Sequence, residues 1–123
     1  MIQLSRGDIM EIIEYNKAEK GQNSDNCKVI EYSFNDKDID LGVATIKGRY
    51  PASGYGMNLV SKELVYVIEG SGVLICEDKK VEFSEGDTIL LQPNEKYYFE
   101  TQYCKIAMAC TPEWSKEQYR MVE

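Results

Sequence analysis

The chain has no histidine among its 123 residues. This absence removes both the usual general base near neutral pH and the commonest metal ligand. Any chemistry must therefore run on carboxylates, lysines, tyrosines or thiols. Closely paired cysteines are missing as well: Cys27, Cys76, Cys104 and Cys110 stand far apart, with no C-x-x-C. A zinc site asks for close pairs and a disulfide framework for a secreted chain, so the four read as buried, reduced thiols within strands. No apolar run approaches the roughly 18 residues that cross a bilayer, so no membrane partner is expected. The first residues, Met1 to Asp8, lack a basic start, an apolar centre and a small-residue cleavage site. They do not read as a signal peptide, and the expected location is the cytoplasm. Positive charge is scarce too: 14 Lys and Arg against 21 Asp and Glu leave a net charge of −7. Phosphate backbones demand the opposite sign, which argues against nucleic acid as a partner.

What is present describes an ordinary globular domain, 43 % apolar and 28 % charged. The length suits one domain over residues 1–123 with a single core. Its organising stretch is Glu63 to Gly72. Leu64 to Ile68 are all apolar or aromatic, and Gly70-Ser71-Gly72 follows, which reads as a buried strand stopped by a turn needing positive φ. Val73 to Cys76, Val81 to Phe83 and Thr88 to Leu91 continue as short strands separated by turn residues, the pattern of a barrel or sandwich. Upstream, strands are expected at 9–13, 27–34, 41–50 and 57–60, with bulges at Gly42 and Gly48. The polar segment 16–26 reads as a loop, and 51–56 as a rim loop. Downstream, 96–101 and 103–109 read as two strands. Thr111-Pro112-Glu113-Trp114 has the chemistry of a helix start, Thr at the N-cap and Pro at the first helical position, so a short C-terminal helix or ordered tail is expected. Met10 offers an alternative start, which would make residues 1–9 a dispensable extension.

Alternation places Tyr97 and Phe99 on one strand face and Tyr98 on the other. Cys104 and Cys110 share a parity that puts both inside if one strand holds them. Lys47 and Arg49 share a face with Val43 and Thr45. They either look inward and hold an anionic ligand, or outward and are solvated.

The two stretches 63–70 and 86–101 resemble the motifs of the cupin superfamily. The first motif runs G-x5-H-x-H-x(3 or 4)-E-x6-G, and Glu63 with Gly70 matches its second half. The second runs G-x5-P-x-G-x2-H-x3-N. Gly86 matches its start, while Gln92, Asn94, Tyr97 and Thr101 stand at the later positions. The resemblance covers roughly residues 42–109 and implies an all-β, double-stranded β-helix (jelly-roll) barrel, with its core over about 27–110. In metal-dependent cupins three histidines and one glutamate converge on an ion. Here the two spacings put those histidine positions on Met57 and Leu59 or on Gly56 and Asn58, with Tyr97 as the third. The resemblance therefore implies a barrel without metal or other cofactor and with a small-molecule pocket. Asn58, Glu63, Val65, Tyr97, Phe99, Lys47 and Arg49 are its candidate ligand contacts, and Glu63 and Tyr97 a candidate base and acid. It also implies a homodimer through an outer face bearing Tyr66 and Ile68. The chain is similar to the cupin of ethanolamine utilisation in its 63–70 strand, in Gly86-Asp87 and in Thr111 to Trp114. Acetate kinase activity is attributed to that family, but no phosphate-binding loop occurs here. Three functions follow from these readings: a ligand-binding or sensing module; a metal-free isomerase, epimerase or lyase acting on a sugar or small acid; or an assembly subunit with a plugged barrel.

Overall fold

A computed structural model describes the backbone of residues 2–3 and all of residues 10–123. It holds eleven strands: β1 (Ile2–Gln3), β2 (Glu11–Ile12), β3 (Glu19–Ser24), β4 (Cys27–Tyr32), β5 (Asp40–Tyr50), β6 (Tyr55–Asn58), β7 (Lys62–Cys76), β8 (Lys79–Ser84), β9 (Thr88–Leu91), β10 (Tyr97–Thr111) and β11 (Tyr119–Val122). Strands β3 to β11 form one curled antiparallel sheet in the order β11-β6-β10-β5-β4-β3. Strand β7 pairs with β10 and carries β8 and β9 on its other edge. The fold is all-β, as expected. The suggestion that residues 1–9 are dispensable falls almost wholly outside the described residues.

Curling depends on β7 and β10, each 15 residues long. The expected turn at Gly70-Ser71-Gly72 is instead a kink within one continuous strand. Strand β7 pairs with β9 through Glu63–Tyr66 and with β8 through Ser71–Cys76. Gly70 has φ +85°, and a Cβ there would strike the Tyr103 carbonyl, which is why glycine belongs at this bend. Likewise 96–101 and 103–109 are halves of one strand, not two. Register shifts against β7 at Glu100/Tyr103 and Lys105/Ile106 insert extra residues and reverse which parity faces inward. Before its shift β7 buries Glu63, Val65 and Val67; after it, Leu74. Strand β10 changes from Tyr97, Phe99 and Thr101 to Cys104, Ile106 and Cys110.

The core inside the barrel includes Ile46, Leu74, Phe83, Phe99, Cys104 and Ile106. Phe99 meets Phe83 edge to face at 6.0 Å and Tyr97 at 5.8 Å, the geometry that aromatic quadrupoles favour.

Three further expectations need correction. Residues 16–26 are not a plain loop, since Glu19–Ser24 pairs with β4 as a solvent-exposed edge strand whose polarity hides it from a hydrophobic pattern. Strand β6 begins at Tyr55 rather than Met57. The C-terminal helix is absent: Lys116–Gln118 is a single 3-10 turn leading into β11, which pairs with β6. Tertiary bonds override the helix-start chemistry here. The buried Gln118 carboxamide accepts the Val60 and Ser61 amides at 2.9 and 2.8 Å, and its Nε2 donates to Ser61 Oγ at 2.6 Å. Gln118→Ala leaves those amides without an acceptor and should lower unfolding free energy by about 1–3 kcal/mol. Emission from Trp114, the single tryptophan, should shift red as the C-terminal segment loosens. An unchanged urea midpoint would contradict this reading.

Candidate functional site

Against this core a cavity of about 100 Å3 remains, bordered by Ile46, Phe99 and Ile106 among others, several times the space one water needs. Its polar groups come from a row across three strands. Asp40 on β5 pairs with Cys110 on β10, which pairs with Glu63 on β7. All three side chains line the cavity.

A hydrogen-bond chain fixes this row. The Trp114 amide donates to Asp40 Oδ2 at 3.0 Å, and its indole Nε1–H donates to Asn58 Oδ1 at 3.2 Å. Asn58 Nδ2 in turn donates to Glu63 Oε1 at 3.2 Å, and the Cys110 thiol approaches the same oxygen at 3.7 Å. Glu63 is 5 % exposed. Burial raises its carboxyl above the usual range, Asn58 and Cys110 pull it back by bonding the charged form, and the Asp40 charge pushes it up again. Burial likewise raises Asp40, against the Trp114 amide.

Facing the row are the phenols of Tyr50, Tyr97 and Tyr119. Tyr97 is 5 % exposed. Desolvation, then the Glu63 charge, hold its hydroxyl well above the ordinary phenol range. The Tyr50 hydroxyl accepts from Asn23 Nδ2 at 3.2 Å. The Tyr119 hydroxyl lies toward Tyr50 yet makes no well-formed hydrogen bond and is buried without a partner.

The metal of related barrels does not fit these residues. Of the two spacings, the structure turns Gly56 and Asn58 inward on β6. A Cβ at Gly56 would collide with the Tyr119 hydroxyl, so β11 occupies the room an imidazole would take. Among the described residues no group of three His, Cys, Asp or Glu side chains could hold an ion. Besides the carboxyls of Glu63 and Asp40, both raised by burial, the nearby donors are a carboxamide, a thiol raised by burial and phenols raised by burial, a poor set for a transition-metal ion.

Of the residues singled out in the sequence, Glu63, Tyr97 and Phe99 line the cavity, and Asn58 sits behind Glu63 as its hydrogen-bond partner. Val65 is fully buried in the core and does not line the cavity. Lys47 and Arg49 are not in the site. They share the outward parity of β5, opposite Ala44 and Ile46. Lys47 is exposed, while Arg49 stacks over the Tyr98 ring at 3.8 Å and donates to the carbonyls of Pro51 and Gly54. Sequence reasoning missed Asp40, Tyr50, Trp114 and Tyr119. The shared parity of Cys104 and Cys110 was the one signal pointing at a missed member, Cys110.

The curled antiparallel sheet around this cavity is that of a cupin-type domain. The chain belongs to the AraC-like ligand binding domain family, whose model matches residues 40–102, 63 of the 123 residues. No curated protein matches it. Among solved structures it is similar to Pac13 of Streptomyces with uridine, with 19 % identity, TM-score 0.80 and 93 % of each chain covered; Pac13 is described as a nucleoside dehydratase. It is also similar to the polyketide cyclase RemF of Streptomyces resistomycificus, with 16 % identity, TM-score 0.71, and 94 % of this chain and 87 % of that one covered. A third is an RmlC-like cupin of Shewanella frigidimarina, with 14 % identity, TM-score 0.73, and 88 % and 96 % covered. At these identities the likeness is one of fold.

A group whose pKa is raised by folding binds more protons in the folded state than in the unfolded one. The folded state is therefore favoured below the unfolded carboxyl pKa, and that advantage is lost as pH rises through the raised value of Glu63. The melting temperature of Glu63→Gln relative to the wild type should thus be more favourable at pH 8 than at pH 4. A difference independent of pH, measured by thermal melts across that range, would contradict it.

Proposed function

We propose that this barrel binds a small organic molecule without a metal ion, with Glu63 and Tyr97 as its central contacts, and serves as a ligand-binding or sensing module. The observation that carries the reading is a cavity whose floor holds a buried carboxyl beside buried phenols. Polar groups with that degree of burial are costly to leave unsatisfied, and a guest would satisfy them. Membership of a ligand-binding family supports the same reading. The remaining space weighs against a barrel plugged by its own side chains.

One observation favours a second reading. The raised carboxyl of Glu63 lies close enough to Tyr97 for its charge to act on that phenol. A carboxyl held nearer neutrality is suited to proton abstraction, with a phenol as the donor. That is the equipment of a metal-free isomerase, epimerase or lyase, and dehydration is the reaction described for Pac13.

The proposal includes a homodimer. Leu64, Tyr66, Ile68 and Leu90 are large, exposed apolar residues on the outer face of β7 and β9, and covering such a patch favours a second copy. A single domain and a cytoplasmic location complete it. Four free cysteines are consistent with a reducing compartment.

Native mass spectrometry of protein purified without added metal should report a dimer that retains a small molecule. Ala44 lines the cavity, so Ala44→Leu should fill it and lose that molecule while keeping a folded β signature in circular dichroism. One tightly held metal ion per subunit, or no guest in any preparation, would overturn the reading. Glu63→Gln should abolish turnover in the catalytic case and spare the binding of a neutral guest in the sensing case.

A further inference from the structure

The charge of the cavity lining is one-sided. Glu31, Asp40 and Glu63 all border it, and no Lys or Arg does among the described residues. These acids arrive from three separate strands: Glu31 follows Cys27 and Val29 on the inward parity of β4, and the other two sit on β5 and β7. The nearest basic side chains on the same wall, Lys47 and Arg49, point the other way. An anionic guest would enter against three carboxyls with no counter-charge.

Hydrogen-bonding groups follow the same charge pattern. The carboxyl oxygens of Asp40 and Glu63 are acceptors when ionised, while the side-chain amide and indole donors beside them are engaged: Asn58 with Glu63, Asn23 with Tyr50, and Trp114 with Asp40 and Asn58. The hydroxyls of Tyr97, which is 5 % exposed and borders the cavity, and of Tyr119, buried without a partner, can each accept or donate. Carboxylate acceptors with no cationic donor opposite them among the described residues call for a guest that brings charged N–H groups. Aromatic rings on the same wall, those of Tyr50, Tyr97, Trp114 and Tyr119, add a surface that attracts cations.

We propose that the guest is a small organic ammonium ion, a protonated amine whose N–H groups are held by Glu63 and Asp40 and whose alkyl part rests against the aromatic wall. This rests on the reading that the barrel binds a small molecule, and narrows it to one class. Seating the cation replaces the water that burial took from Glu63, so the ionised carboxylate is the binding form. The titratable groups around the cavity besides Glu63 are Cys27 and Glu31 on β4, Asp40 and Tyr50 on β5, Cys110 and Tyr97 on β10, and Tyr119 on β11. All are acids raised by burial, so none supplies positive charge in place of the guest. Affinity therefore rises with pH as Glu63 ionises.

The test uses three isosteres on the full chain: n-butylammonium chloride, 1-butanol and sodium butyrate. Binding is followed by Trp114 emission and by ligand-observed NMR. n-Butylammonium should bind at least about tenfold tighter than 1-butanol, a difference of about 1.4 kcal/mol, and butyrate should not bind. Glu63→Gln should erase the preference for the cation. Asp40→Asn, whose carboxamide keeps an acceptor for the Trp114 amide, should weaken it and provides the answer if the first variant fails to fold. Equal binding of the alcohol and the cation, or tighter binding of butyrate, overturns the proposal. If uridine or another neutral probe binds while the cation does not, the cation class fails and the ligand-binding reading stands. If no probe binds and no guest is retained on purification, both fail.

Discussion

Taking a carboxyl out of water is the constraint around which this barrel is arranged. Glu63 sits on β7 with almost no exposure, and its charged form is penalised by the apolar wall that encloses it. The partial compensation comes from far along the chain. Asn58 bonds Glu63, Trp114 bonds Asn58, and the Trp114 amide bonds Asp40. Three strands and the C-terminal segment are thus joined through one buried acid. The segment is held in turn by Gln118, which satisfies the amides of Val60 and Ser61 beneath the site. Docking of the C-terminus and construction of the cavity are the same event.

Apolar core and cavity share one interior. Phe83 and Leu74 pack with Phe99, Ile46 and Ile106, burial that supplies the stability, and the last three also border the open space. Acids, phenols and a thiol line the rest of it. Gly56 and Tyr119 show how a histidine-free version of the fold is built. Removing the side chain at position 56 makes room for the phenol of β11, and the phenol forbids a side chain there. Where the cupin motif has an imidazole position, at Gly56, the hydroxyl of Tyr119 takes the space.

In the two functions proposed above, binding and proton transfer rest on the same atoms: a raised carboxyl beside a buried phenol would satisfy a guest by accepting its donors and would suit a base for the same reason, since both depend on desolvation. The solved neighbours span a dehydratase and a cyclase on one fold, which fits the general separation of fold from function: chemistry lives in the residues grafted onto the barrel.

Much of the architecture was legible in the residues. Short β-rich runs between turn residues pointed to a barrel. The cupin resemblance turned Glu63 and Tyr97 inward, and alternation then put Phe99 inside and Tyr66 outside, because side chains on a strand must alternate. What escaped was everything decided by contacts distant in sequence. The kinks that make single strands of 62–76 and 97–111 depend on the partner strand, and a bulge reverses parity without any local mark at Ile68 or Gln102. The exposed edge strand at 19–24 has no apolar face to betray it. Thr111 to Trp114 looked like the start of a helix because local capping chemistry favours one. Only the tertiary bonds of Gln118, Asn58 and Asp40 hold that segment extended and bring it to the cavity, since hydrogen bonds to buried partners outweigh the small free energies of local propensity.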